Sequence, residues 1–257
     1  MNGNTREPLP IRLATYIVQA AFLIGLLILW FLATNVWGVS SIVLPSPINV
    51  WYQLVDVIRS GEYIADLRVT LSEFAGAFIV AMILGIAVGY LISRSSYLSK
   101  VFEPLFAAVY AIPIILFLPL YVLILGLGPA SKIALGATIS FFPIVLSTIA
   151  GFGNIDRTLI SAARSMGADD VQMLWHVLVP AALPVVLAGL RMGFTVALLS
   201  VIGSETLAAL AGLGHRIVNL AENMEMARMF AYIVFVVAIV AFLNAVLSTL
   251  EAYGRWR

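Results

Sequence analysis

SAARSMGADDVQMLWHVLVP, Ser161 to Pro180, is a polar interruption between two long apolar blocks. Two small residues, Ala162 and Ala163, are followed four positions on by Gly167, and Val177 and Val179 then close on Pro180. Ala162 and Ala163 favour helix and let another surface come close to the backbone. Gly167 takes positive φ without strain and ends that helix. Asp169 or Asp170 caps a second one, because carboxylates satisfy and attract the exposed amides of a helix N-terminus. Pro180 suits the first turn of whatever helix follows. The stretch therefore predicts a helix-turn-helix bracket between two membrane spans.

The membrane assignment comes from composition. Of 257 residues, 62% are hydrophobic and 11% charged, with a mean hydropathy of +1.07. Soluble domains average about 45–50% apolar and about 25% charged, so the bilayer is the solvent for this chain. A net charge of +1 gives no argument for nucleic acid, and the absence of Cys excludes disulfides and thiolate metal sites.

A helix needs about 20 apolar residues to cross the hydrocarbon. Runs of that kind lie in Leu13–Val43, Phe74–Ser93, Pro104–Ser131, Ile133–Ile155, Pro180–Ser204 and Met229–Leu250. The expected fold class is all-α, a polytopic membrane protein with six transmembrane helices. The first run exceeds the length of a signal-peptide core and no A-x-A site follows, which favours a retained span. Six spans put both termini on one side, with Arg6, Arg12, Arg94, Lys100, Arg157, Arg164, Arg255 and Arg257; opposite lie Arg59, Arg68, Lys132, Arg216 and Arg228. Eight against five places the termini and the bracket in the cytoplasm.

The expected organisation is a tail and first span over 1–43, an external amphipathic helix over 44–65, a core of five spans over 66–251, and a tail over 252–257. In the second segment Ser46 is the expected N-cap, Pro47 the first helical residue and Gly61 the stop, with Ile48, Trp51, Val55 and Ile58 on one face. Trp51 and Tyr52 suit a lipid interface. Gly85 and Gly89 form a small-xxx-small pair, read as close helix packing within the chain rather than a dimer contact. Pro113 and Pro119 predict a bent third span, beside a pathway or as a packing kink. No internal repeat is evident, so pore symmetry needs a second copy.

Glu73, Arg191 and Glu205 are the ionisable residues nearest the bilayer interior, where such groups are costly and functional by default. Glu205 either lines the outer path or braces helices in a Glu–Arg pair, with Glu73 and Arg191 as the other members. His176 and His215 fall on opposite sides of the membrane, which disfavours a two-His metal site. With two lysines, neither preceded by Gly, the chain has no phosphate-binding loop. Nothing is spaced as a nucleophile motif, and an enzyme is not expected.

The bracket resembles the EAA loop of bacterial ABC-importer permeases: E-A-A, three residues, Gly, nine residues, then I-x-L-P. Here these are Ser161-Ala162-Ala163, Gly167 and Val177-Leu178-Val179-Pro180. Leu44-Pro45-Ser46-Pro47 is similar to the L-P-(S/P)-P of the sulfonate/taurine/nitrate type. Gly126-Leu127-Gly128 before Ser131-Lys132-Ile133 resembles its F-G-I-G-x-x-S-K, and Pro180-Ala181-Ala182-Leu183-Pro184 with Gly189-Leu190-Arg191 its P-A-A-L-P…G-L-R. Glu205 and Gly212-Leu213-Gly214 fall where those proteins carry a Glu and a G-L-G. The similarity runs over roughly residues 44–250.

The resemblance implies a type I importer core with cytoplasmic coupling helices. It implies a homodimer in the bacterial inner (plasma) membrane that works with two cytosolic ABC ATPase subunits and a periplasmic or lipid-anchored substrate-binding protein. ATP and Mg would be bound by the ATPase and no cofactor by this chain; lipid, not nucleic acid, is its other partner. Ser161, Ala162, Ala163, Gly167, Val177, Val179 and Pro180 would engage the ATPase. Three departures stand out: Ser161 replaces the loop Glu, and Glu73 and Tyr110 stand where the family often has Arg. Tyr110 joins Glu205, Glu73 and Arg191 as path candidates. The implied substrate is a sulfonate, taurine, nitrate or similar small organic anion; the missing arginines raise a neutral heterocycle instead. The rival reading is a stand-alone secondary transporter using Glu73 or Glu205.

Overall fold

Residues 9–254 are described by the computed structural model of the chain. Arg6, Arg255 and Arg257 of the charge tally, and the tail beyond Gly254, lie outside the described residues. Every regular element among them is helical. In chain order they are α1 (Leu9–Asn35), α2 (Pro47–Ser60), α3 (Tyr63–Ser93), α4 (Ser96–Tyr110), α5 (Leu118–Leu125), α6 (Pro129–Gly153), α7 (Arg157–Ser165), α8 (Asp170–Met173), α9 (Val179–Leu207), α10 (Leu213–Glu222) and α11 (Met226–Gly254).

Among the described residues five helices are long and apolar enough to cross a membrane, and six spans result if a bent pair counts as one. That pair is α4 followed by the segment Ile114–Leu125, bent by 72°. The bend sits at Pro113, which has no amide to offer the ladder; a short 3₁₀ turn over Ile114–Phe117 re-enters helix at α5, with Pro119 in its first turn. Other boundaries moved outward. The second span was expected from Phe74, but α3 starts at Tyr63 and runs 31 residues, about 46 Å at 1.5 Å per residue. Its first turns therefore carry Asp66, Thr70 and Glu73 on helix instead of loop.

Two compact units are present. The larger comprises Glu62–Val218 and Val236 onward. Within it α6 is the central helix, packed on α3 along one side and α9 along the other. Close approach there is made by small residues, which is how helices associate in lipid. A Cβ on Gly85 of α3 would lie 2.7 Å from Ile144, and one on Gly193 of α9 would lie 2.6 Å from the same side chain. Ile144 is completely buried between them. The Gly85/Gly89 pair thus serves packing inside the chain, as expected. Phe74, Phe78 and Phe194 pack edge-to-face and stacked beside Val240 and Leu243 of α11.

The smaller unit holds α1, α2 and Asn219–Phe235, a grouping that cuts across the 66–251 core read from the sequence. The Ser46 hydroxyl accepts from the Asn49 amide at 3.3 Å, Pro47 opens α2, and Gly61 closes it at φ 70°. Val50 and Val57 are buried, while Ile48, Trp51, Tyr52 and Ile58 are exposed, as an interfacial helix requires. Trp30 donates its indole N–H to the Pro45 carbonyl at 3.0 Å, and Arg228 meets Asp56 at 3.7 Å.

Candidate functional site

The bracket forms as a helical hairpin. Asp156 caps α7 by accepting the Thr158 amide at 2.8 Å, which holds its carboxyl below the ordinary aspartate value through hydrogen bonds from Thr158. Gly167 ends α7 at φ 82°, its amide on the Arg164 carbonyl and that of Ala168 on the Ala163 carbonyl. Asp169, not Asp170, caps α8 in a capping box with Gln172. The two alanines part company: Ala163 is buried and Ala162 exposed, beside exposed Ser161 and Gly167. Val177 and Val179 are half-buried and Pro180 is exposed. Leu159, Met166, Val171 and Trp175 also stand exposed on the bracket, Met166 at 82%.

The second arm of the bracket is not a separate short helix. A π-helical turn over Leu174–Leu178 joins α8 to α9, so helix continues from Asp170 to Leu207 over 38 residues. In a regular α-helix the Pro180 ring would press on the His176 carbonyl; the wider π-turn falls just where that carbonyl must give way. The second arm of the bracket and the fifth span are consequently one continuous helix.

At the opposite end of the spans the path candidates separate. Glu73 and Glu205 come together; Tyr110 and Arg191 do not join them. Tyr110 stacks on Phe142 at 5.9 Å in an apolar cluster with Phe106. Arg191 lies on the exposed side of α9, fourteen residues and about 21 Å from Glu205, so it is not that residue's brace.

Of the two readings of Glu205, a water-facing path residue or a brace between helices in a Glu–Arg pair, this structure shows a sealed side chain, with 1% of its surface exposed, that bonds to other helices and not to an arginine. Oε1 accepts the Thr70 hydroxyl at 2.7 Å and Oε2 accepts the Gly214 amide at 2.8 Å. The Thr70 oxygen accepts the Leu213 amide at 2.9 Å, and Asp66 accepts that of Gly212 at 3.2 Å. The first amides of α10 are thus capped by side chains of α3 and α9 instead of their own helix. Gly212 sits at φ 111°, and a Cβ there would fall 2.4 Å from the Glu205 carboxyl carbon. The Glu and the G-L-G are one site.

Lys132 belongs to it as well. Counted as a loop charge in the sequence, it is 1% exposed in the first turn of α6. Its Nζ donates to the carbonyls of Leu127 and, at 3.2 Å, Gly128, and it interacts electrostatically with Glu73 and Glu205. The Glu73 carboxyl lies against that of Glu205. Thr70, Asp66 and Lys132 were missed; the signal for the first two was the i, i+4, i+7 spacing of Asp66, Thr70 and Glu73.

Residues 81–253 match the family described as binding-protein-dependent transport system inner membrane component. The chain belongs to that family. It is 31% identical to the taurine transport system permease protein TauC of Escherichia coli, over 85% of this chain and 81% of that one. A probable ABC transporter permease of Brucella melitensis is 30% identical over 86% and 89%. The formylaminopyrimidine transport permease ThiX of Halalkalibacterium halodurans is 29% identical over 76% and 77%. Among solved structures, the inward-facing MetNI methionine ABC transporter superposes with a TM-score of 0.61 at 21% identity, over 72% of this chain and 92% of that one. The fold is that of a type I ABC-importer permease, and the chain is an integral inner-membrane permease subunit for small solutes.

Proposed function

We propose that this permease works as a homodimer with two cytosolic ATPase subunits and an external substrate-binding protein, and that Ser161–Pro180 is its coupling bracket. The observation that carries the reading is the unbroken helix from the Asp169 cap to Leu207. A push on α8 is delivered along α9 to the far side of the membrane, through helix that continues across the π-turn at Leu174–Leu178. The exposed Ala162, Gly167, Met166 and Trp175 supply a surface of small and apolar groups for the ATPase. The bracket side is cytoplasmic, with both termini. Nucleotide and Mg are handled by the ATPase, and this chain holds no cofactor. Ser161 in place of the loop Glu shifts docking from charge to this apolar contact.

Relatives are named for taurine and for formylaminopyrimidine. The uncharged heterocycle suits this chain better than the organic anion. A cavity of about 420 Å³ at the bend of the third span is lined by Val109, Ile114, Phe117, Tyr121, Thr138 and Phe142 among others, none of them cationic. Its polar feature is the Tyr121–Thr138 hydroxyl pair at 2.8 Å.

Reconstitution with the partner ATPase and binding protein tests both statements. ATP-driven uptake that needs all three components, and that carries a formylaminopyrimidine in preference to taurine, is expected. Full uptake by the permease alone would overturn the coupling reading, and preference for taurine would overturn the solute.

A further inference from the structure

The cavity at the bend of the third span has one pair of polar side chains, Tyr121 of α5 and Thr138 of α6; the others that line it are apolar, Phe117 and Phe142 supplying aromatic wall. The two hydroxyl oxygens lie 2.8 Å apart, and the Thr138 oxygen also lies 2.8 Å from the carbonyl oxygen of Ala134, one turn back in α6. Each hydroxyl carries a single hydrogen, and a carbonyl carries none. The Thr138 hydrogen must therefore point at Ala134; otherwise two oxygens would face each other at hydrogen-bond distance with nothing between them. Thr138 then accepts, and Tyr121 donates to it. The relay runs from Tyr121 to Thr138 to Ala134.

Both hydrogens are spent inside the protein, and what the pair leaves to the cavity is lone pairs on oxygen. An acceptor has nothing to offer the oxygens of a sulfonate, a carboxylate or nitrate, and taking such an anion out of water without a donor is costly. A solute that brings its own N–H meets the opposite situation.

We propose that the Tyr121–Thr138 pair determines specificity by accepting a hydrogen bond from an uncharged, planar N–H donor, an aromatic amine or amide. The proposal rests on the reading above that an uncharged heterocycle is carried. It adds the hydrogen-bonding sense of the solute and the residues that read it. Reversing the relay should reverse the preference: with Thr138→Val the Tyr121 hydrogen is released, and the cavity gains a donor.

The test measures binding of two probes of one shape, an aminopyrimidine and the corresponding methylpyrimidine, by saturation-transfer NMR titration of the purified protein in nanodiscs. The methylpyrimidine has ring nitrogens that accept and no N–H to give. The unmodified protein is expected to bind the aminopyrimidine about fivefold more tightly, the worth of one hydrogen bond. Thr138→Val should tighten the methylpyrimidine by a similar factor. Tyr121→Phe combined with Thr138→Val should bind the two alike. Equal binding of the probes by the unmodified protein, or binding of neither, overturns the proposal, and this arm needs no variant to fold. A methylpyrimidine affinity unchanged by Thr138→Val overturns the direction of the relay, and a preference retained in the double variant removes the pair from the site. Uptake of taurine in preference to a formylaminopyrimidine by the reconstituted transporter would overturn the solute reading, while the probe ratio still judges Tyr121 and Thr138.

Discussion

Gly214 donates its amide to Oε2 of Glu205 at 2.8 Å, and a Cβ on Gly214 would fall 2.7 Å from the Glu205 Cβ. The contact exists only because the residue is glycine. A carboxylate that caps a helix from another helix must reach the backbone itself, and any side chain in the way would hold it off. The two groups are nine residues apart in the chain and would otherwise read as unrelated: a charge at a span's end and a loop glycine.

Gly212 makes the same point testable against a control. Gly38 also has positive φ, at 69°, with nothing within 4 Å of its missing Cβ, whereas Gly212 has both φ 111° and the Glu205 carboxyl in the way. Gly38→Ala therefore carries backbone strain alone, about 1–3 kcal/mol. Gly212→Ala adds collision with a buried carboxylate and should lower the thermal midpoint of the purified protein further than Gly38→Ala does. Equal midpoints would mean that the carboxylate moves aside freely.

What could be read in the sequence was local. Ser46, Gly61, Gly167 and Asp169 were legible because a cap is written within four residues of the end it satisfies. The bend at Pro113 was legible for the same reason. Lys132 was not: counting apolar runs assigns every charge to a loop, and only the fold shows that α6 begins three residues earlier, at Pro129. Glu205 was recognised as important, but the choice between path and brace stayed open and its partner unknown, because Thr70 lies 135 residues away. The continuity of α8 with α9 was hidden by Pro180, which ordinarily opens a helix and here follows a π-turn.

The cap on α7 should depend on acid. Hydrogen bonds from Thr158 place the Asp156 carboxyl below its ordinary 3.8, so its contribution is complete above that value and fades as pH falls through the lower, folded value. Protection of the Thr158 amide, measured by hydrogen exchange relative to the intrinsic rate, should drop in that acid range. Asp156→Asn keeps an acceptor without a titrating group and should show no such drop. A drop of equal size in both proteins would assign it to general unfolding.

Orientation follows from cysteine labelling in a chain that has no Cys of its own. Ser165 and Leu210 are both exposed and lie at opposite ends of the spans. An impermeant maleimide applied to intact cells should label Leu210→Cys and leave Ser165→Cys unreacted until the cells are opened. Labelling of Ser165→Cys in intact cells would put the bracket outside and end the argument for ATPase docking.

Gly167 separates coupling from folding. Its φ of 82° disfavours any other residue, yet nothing lies within 4 Å of where its Cβ would stand. Substitution therefore costs strain of about 1–3 kcal/mol at an exposed turn and makes no clash inside the chain. A side chain there would instead project toward whatever docks on the bracket. Gly167→Val should reach the membrane at near-normal levels while losing ATP-driven uptake and binding-protein-stimulated hydrolysis. Gly167→Asn, which tolerates the left-handed region better, should match it in uptake if the docking surface is what matters, and should recover uptake if strain is. Met166→Asp, at an exposed position with ordinary backbone, adds charge to the same surface and should also uncouple the transporter without loss of protein. Uptake unchanged in all three variants would remove the bracket from the coupling path.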